Sequence, residues 1–367
     1  MNYRKLAIGA LSVVVGGGIF ATATMVDLKK DPSIGSAIEL FYGTHQNGIE
    51  IDRQSNSTVI AFDIKEGIDQ AAIARLMRLW TNDAAELMQG NPIIGDPQAE
   101  KAENPARLTV LIGYGYSLFQ KTGIAEKWPI AEKVIPGYQI DRLEKRWSDG
   151  DLVLQITGDN PQSIFHAGVV LVRDAQPFAT VRWQQRGFLD PAGINEEEVS
   201  RNLLGQLDGT ANKANETKEF SDIAWRKSGP LKGGTTMVVR RIKMDIQAWD
   251  TLSTNNKNGV IGRTLDSGEM IESKSASSHV SRAITTGSNG IIRRGFNYDD
   301  NYQADGTRDA GLIFISFQES LQRYLGIQAA LNEVDELNRW TTPVGSALFI
   351  IPPGTQPGGY IGENFFQ

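Results

Sequence analysis

The 367-residue chain contains no cysteine and only three histidines. Without thiols it can form no disulfide, no CxxC zinc site, no iron–sulfur cluster and no cysteine nucleophile. The histidines, His45, His166 and His279, make no HxxxH or HExxH pair, which argues against a zinc hydrolase centre. Positive charge is also short. Thirty-seven Lys and Arg stand against 43 Asp and Glu, for a net charge of −6. That balance argues against binding nucleic acid through bulk charge, and no nucleic-acid partner is expected. What remains is an ordinary globular composition, 40% hydrophobic and 22% charged, and long enough for two domain-sized units.

One long uncharged run is present. "MNYRK" is followed by 21 residues without a charge, between Lys5 and Asp27. A short basic start, an apolar run and the small-residue pattern Ala21-Thr22-Ala23 predict a signal peptide over residues 1–26. The run is equally long enough for an uncleaved membrane anchor. Three consecutive glycines argue against a buried first strand. The expectation is an exported or membrane-associated protein.

Periodicity organises the rest. "STVIAFDI" (57–64), residues 106–115, 151–158 and 178–187 read as strands, with helices over "IDQAAIARLMRLWTNDAAELM" and from "DNPQSIFHAGVVLV". The second half repeats the order. Strands at 235–246, 290–298 and 311–318 precede a helix through "ESLQRYLGIQAALNEVDELNRW", with Leu321, Leu325, Gln328 and Leu331 on one stripe, and then a last strand in "SALFIIPP". "QAWDTL" adds a short helix, while 89–105, 119–150 and 207–222 read as connections. Two β-α-β-β-α-β units in tandem predict an α+β fold of duplicated ferredoxin-like domains.

Few residues can carry chemistry. His166 falls in a helical pattern and His45 beside Gly43 and Gly48, so both read as structural. His279, in the Ser- and Gly-rich "SSHVSRAITTGSNGIIRRGFNYD", is either part of a surface loop or a metal ligand. A lone protein histidine suits haem, whose porphyrin supplies the other four nitrogens. Asp208 in "GQLDGTAN" is either an Asp-Gly turn or a functional acid.

"GQLDGTAN" resembles the GxxDG signature of the dye-decolorising peroxidases, haem proteins built from two ferredoxin-like domains. "FYGTHQNGI", "GDNPQSIFHA", "RWQQRGF", "MVVRRIKMDIQAWD", "IIRRGFNYD", "GLIFISFQ" and "VGSALFIIPPG" resemble further stretches of that family, in its order. The resemblance spans residues 38–367. It implies an N-terminal unit over 38–204 and a C-terminal unit over 205–367 that holds most of the haem pocket. His279 corresponds to the proximal iron ligand, Asp208 to the distal acid and Arg293 to the distal arginine. Strand alternation turns Arg294 away. Gly209, Thr210, Arg282 and Phe314 are implied around the cofactor, and no carboxylate partner is assigned to the His279 imidazole.

The activity so implied is that of a haem b peroxidase with one haem per chain, which reduces hydrogen peroxide and oxidises dyes, phenolics or similar donors through a high-valent haem. The family's exported branch includes iron-uptake members, so a deferrochelatase-like protein handling haem or iron is the alternative. A ferredoxin-like binding module without haem is a third reading. Trp183, Trp225, Trp249, Trp340 and Tyr298 are candidate electron-relay aromatics and equally simple core residues. The sequence sets neither the electron donor nor the oligomeric state, a homo-oligomer included.

Overall fold

The computed structural model describes residues 34–191, 199–284 and 290–366, so the leader at 1–26 lies outside the described residues. Strand β1 (Asn56–Ile64) is followed by helix α1 (Gln70–Met88), strand β2 (Thr109–Tyr114) and the short helix α2 (Tyr116–Lys121). Strand β3 (Leu152–Gly158), helix α3 (Pro161–Ala175) and strand β4 (Ala179–Phe188) complete the first half. Local chemistry sets the helix starts. The Asp69 carboxylate accepts a hydrogen bond from Ala72 N at 2.7 Å, and Asn160 does the same for Gln162 N ahead of Pro161. These strands pair antiparallel in the order β2-β3-β1-β4. Ile60, Phe62, Leu152 and Leu154 bury one sheet face against Leu76, Trp80, Val170 and Leu171 of α1 and α3.

Helix α4 (Lys218–Ala224) leads into strand β5 (Thr235–Met244), then helices α5 (Ile246–Asp250), α6 (Thr254–Ile261) and α7 (His279–Ile284). Strands β6 (Ile292–Arg293), β7 (Phe296–Tyr302) and β8 (Arg308–Gln318), helix α8 (Leu321–Glu333) and strand β9 (Thr341–Ile351) follow. The antiparallel order β9-β5-β8-β7 matches that of the first half. The four-stranded groups join edge to edge, through Tyr114 opposite Ile350 and Phe188 opposite Asn297. Their inner faces share one core, in which Val59, Leu111 and Val153 meet Met237, Ile315 and Phe349. The described residues from Ile34 onward thus form one body.

The outer face of the second sheet departs from its counterpart. Helix α3 buries eight residues, whereas α8 buries only Leu321 and Tyr324. The stripe on α8 therefore does not close on the sheet, and Gln328 and Leu331 line a cavity. Alternation along β5 and β8 sends Ile242, Met244, Leu312 and Phe314 into the same space.

Four expected boundaries shift. The strand expected over 290–298 is broken into β6 and β7, because Arg294 is drawn out of line to donate to the carbonyls of Ile49 and Ile51. The strand expected from 106 starts at Thr109, since Ala106 and Arg107 adopt left-handed backbone angles of +49° and +58° in φ. The helix expected through Trp340 ends at Glu333, and a separate turn from Asp335 follows. The connection at 207–222 already contains the start of α4, capped by Thr217.

Candidate active site

The cavity under α7 and α8 has a volume of about 410 Å³. His279, the first residue of α7, reaches it from a turn in which the buried Ser278 hydroxyl accepts from Ser281 N at 3.4 Å. Its Nδ1 lies 2.7 Å from Asp335 Oδ2. Asp335 is held in turn, because its Oδ1 accepts from Leu337 N at 2.9 Å and the carboxylate is almost wholly buried. A buried carboxylate accepts a hydrogen bond from Nδ1–H and so leaves the lone pair on Nε2. Nε2 has no hydrogen-bond partner among the described residues.

Asp208 comes from a tight turn at the junction of the two halves. Asn202 Oδ1 accepts from both Leu204 N and Gln206 N, and Arg201 bridges to Leu207 across the turn. Gly205 and Gly209 take φ of +83° and +97°, which side chains rarely tolerate. The Asp208 carboxylate faces Arg293, with Nη1 to Oδ1 at 3.3 Å. Arg293 is fixed on β6 by the Asn212 amide, which donates to Arg293 O at 2.7 Å and accepts from Arg293 N at 2.9 Å. Asn212 mimics a missing strand neighbour and sets the position from which the guanidinium extends.

Asp208, Thr210, His279, Arg293 and Phe314 all line the cavity. Gly209 does not; it serves the turn, and a Cβ there would come within 2.9 Å of Arg53 Nη1. Arg282 is also outside the lining, because its guanidinium pairs with Glu333 and donates to Ala330 O at 3.1 Å. Arg294 is buried away from the cavity. His166 is buried with its Nε2 2.8 Å from Asp96, and His45 stacks on Trp225 with its Nδ1 2.6 Å from Gly233 O. Trp183, Trp225, Trp249 and Tyr298 are buried core residues, and Trp340 packs edge-on to Trp249.

Sequence reasoning missed Asp335, Asn212 and two wall arginines. Asn212 sat in the quoted "GQLDGTAN" and Arg240 in "MVVRRIKMDIQAWD", whereas nothing marked Asp335, 56 residues from its partner. Arg263 donates to Gly268 O at 2.7 Å, and burial, followed by the charge of Arg293, holds its guanidinium below the usual arginine value. Arg240 is 2% exposed and pairs with Asp141, yet its Nε and Nη1 have no hydrogen-bond partner. The neighbouring Tyr324 hydroxyl donates to Gln328 Oε1 at 3.2 Å and lies beside the Arg240 guanidinium. Burial pushes that phenol well up, so it stays neutral.

These residues suit haem. No cluster of three metal-ligating side chains exists among the described residues, so a bare ion would lack donors. A single free imidazole nitrogen suffices where a macrocycle supplies the rest. The apolar floor accommodates a porphyrin face, and the unmet donors of Arg240 call for an acceptor such as a carboxylate.

Two ferredoxin-like halves with such a cavity, lined mostly by residues of the second, are the layout of a haem peroxidase. Family models agree: the Dyp-type peroxidase N-terminal description matches residues 46–189 and the C-terminal description residues 199–356. The chain belongs to the Dyp-type peroxidase family, whose cofactor is haem. A dye-decolorizing peroxidase of Thermobifida fusca is 32% identical over 84% of this chain and 80% of its own. A deferrochelatase of Shigella flexneri is 27% identical over 89% and 87%. Among solved structures, a DyP-type peroxidase from Cellulomonas bogoriensis superposes with a TM-score of 0.87 at 36% identity, covering 92% of this chain and all of that one. Ferric DtpA from Streptomyces lividans gives 0.86 at 32% identity, with the same coverage.

Proposed function

We propose that this peroxidase reduces hydrogen peroxide at haem ligated by His279 Nε2 and takes electrons from dyes, phenolics or similar organic donors. The observation that carries this reading is the Asp208–Arg293 pair in the wall of the cavity that also receives His279 and Asp335. Haem supplies the redox chemistry that cleaves the O–O bond.

The side chains supply the remainder. The Asp208 carboxylate accepts the proton of one peroxide oxygen and returns it to the other, which departs as water. Arg293 keeps its charge throughout and stabilises negative charge building on the departing oxygen. Asp335 draws on Nδ1–H, which fixes the imidazole and makes Nε2 a stronger donor to iron. Phe314 and Leu312 keep the floor apolar, while Arg240 and Arg263 would supply donors to carboxylates of the cofactor. The uncharged run after Lys5 supports export or membrane anchoring.

Rapid mixing with peroxide tests the roles. Asp208→Asn is expected to cost about 10²–10⁴ in rate. Arg293→Leu is expected to slow the reaction by about 10²–10³, and both variants are expected to keep haem. An Asp208→Asn variant with the wild-type rate sinks the proton role.

A second reading, release of iron from haem with incidental peroxidase activity, is favoured by the relatives named deferrochelatase. Measuring iron released from added haem against peroxide-dependent dye turnover separates the two.

A further inference from the structure

Residues 49–53 lead into β1 of the first half, yet they are fastened to the distal side of the cavity in the second. Arg294 donates from Nε to Ile49 O at 2.9 Å and also reaches Ile51 O. Arg53 answers in the opposite direction. Its Nη2 donates to Gly295 O at 2.8 Å, and its Nη1 donates to Asp208 O at 3.0 Å. One planar fork therefore holds the backbone of Asp208 and the backbone just after Arg293 at a fixed spacing. Gly209 leaves room for it, since a Cβ there would strike Nη1.

The guanidinium also carries charge into this corner. Burial is the largest influence on Arg53, followed by attraction from Asp208 and repulsion from Arg293. The charged groups around Asp208 are Arg293 on β6, Arg53 before β1, Arg263 after α6 and Arg201 at the base of the turn, where it donates to Gly205 O at 2.8 Å. His279 and Asp335 share the cavity from α7 and the turn after α8.

We propose that Arg53 is a positioning residue for the distal acid: its fork fixes the Asp208 backbone relative to β6 and so holds the carboxylate at its spacing from Arg293. This rests on Asp208 as the proton carrier. A residue ahead of β1 thereby sets the spacing of two groups that lie after β4. Arg53 is not among the residues that line the cavity and acts through Asp208.

The test uses full-length, haem-loaded protein and three variants: Arg53→Gln, Arg53→Lys and Asp208→Asn. Arg53→Gln removes the fork. The peroxide rate per bound haem is expected to fall by about 10-fold, the scale of a misplaced catalytic group, while the haem content and ferric spectrum stay unchanged. Arg53→Lys keeps a charge but cannot span both carbonyls, so it is expected to lose as much and not to rescue. A purely structural Arg53 would lower haem content or Tm and leave the rate per haem unchanged. If Asp208→Asn keeps the wild-type rate, the proton-carrier reading fails first. If Asp208→Asn is slow but Arg53→Gln keeps the wild-type rate, the role of Arg53 alone is overturned. Should Arg53→Gln lose haem, Arg53→Lys decides: a reduced rate per haem supports the positioning role, and a wild-type rate refutes it.

Discussion

A histidine offers iron a well-aimed lone pair only when its other nitrogen is engaged. Asp335 does this for His279, and the sequence left it unmarked because its carboxylate reaches the imidazole from the turn after α8. Asp208, Arg293 and His279 were legible because each sits in a short stretch with its own signature. Asp335, Asn212 and Arg53 act across long separations on atoms that carry no pattern. Asp335→Ala is expected to weaken haem binding by about 10–100-fold and to raise the iron reduction potential, since the imidazole loses its anionic partner. His279→Ala is expected to lose haem and the five-coordinate ferric spectrum altogether. Haem titration and spectroelectrochemistry measure both. An Asp335→Ala variant with wild-type affinity and potential would leave the carboxylate without a role at the iron.

At the scale of elements, apolar spacing located β1, α1, β3, α3, β4, β5, β8 and β9 within a few residues. It failed where a side chain overrode the local pattern, as when Arg294 broke the strand at 290–298. The stand-off of α8 was also hidden: its apolar spacing is what a packed helix requires, and Gln328 on the stripe was the one sign that its face stays open. Helices α1 and α3 carry a feature of a different kind. Asp83 and Asp174 face one another and share a hydrogen bond, and burial, followed by the charge of Asp83, pushes the Asp174 carboxyl up to about 7. Asp83 is raised in the same direction. A carboxyl whose folded value lies above its ordinary 3.8 stabilises the fold below about pH 4, and this contribution is lost as pH rises through about 7. Asp174→Asn keeps the hydrogen bond without the charge. It is expected to raise Tm by about 1–3 °C at pH 8 and to leave it unchanged at pH 4. Equal shifts at both pH values would show that the pair shares no proton.

The whole molecule closes through contacts that no periodicity signals. Single residue pairs, Tyr114 with Ile350 and Phe188 with Asn297, join the two four-stranded groups, and the shared core behind them welds the halves into one body. That body starts at Ile34, beyond the uncharged run of the leader. Removal of residues 1–26 is expected to yield protein with the same Tm, haem content and peroxide rate as full-length material, because the residues that line the cavity, His279, Asp208 and Arg293 among them, all lie beyond residue 34. What truncation should change is location. In a bacterial host the full-length chain is expected in the exported or membrane fraction and the truncated chain in the cytoplasm. Mass spectrometry of the exported chain distinguishes the two forms of the proposal: cleavage near Ala23 marks a signal peptide, and an intact N-terminus in the membrane fraction marks an anchor. Full-length protein found soluble and uncleaved in the cytoplasm would sink both, and loss of haem on truncation would show that the leader also supports the fold.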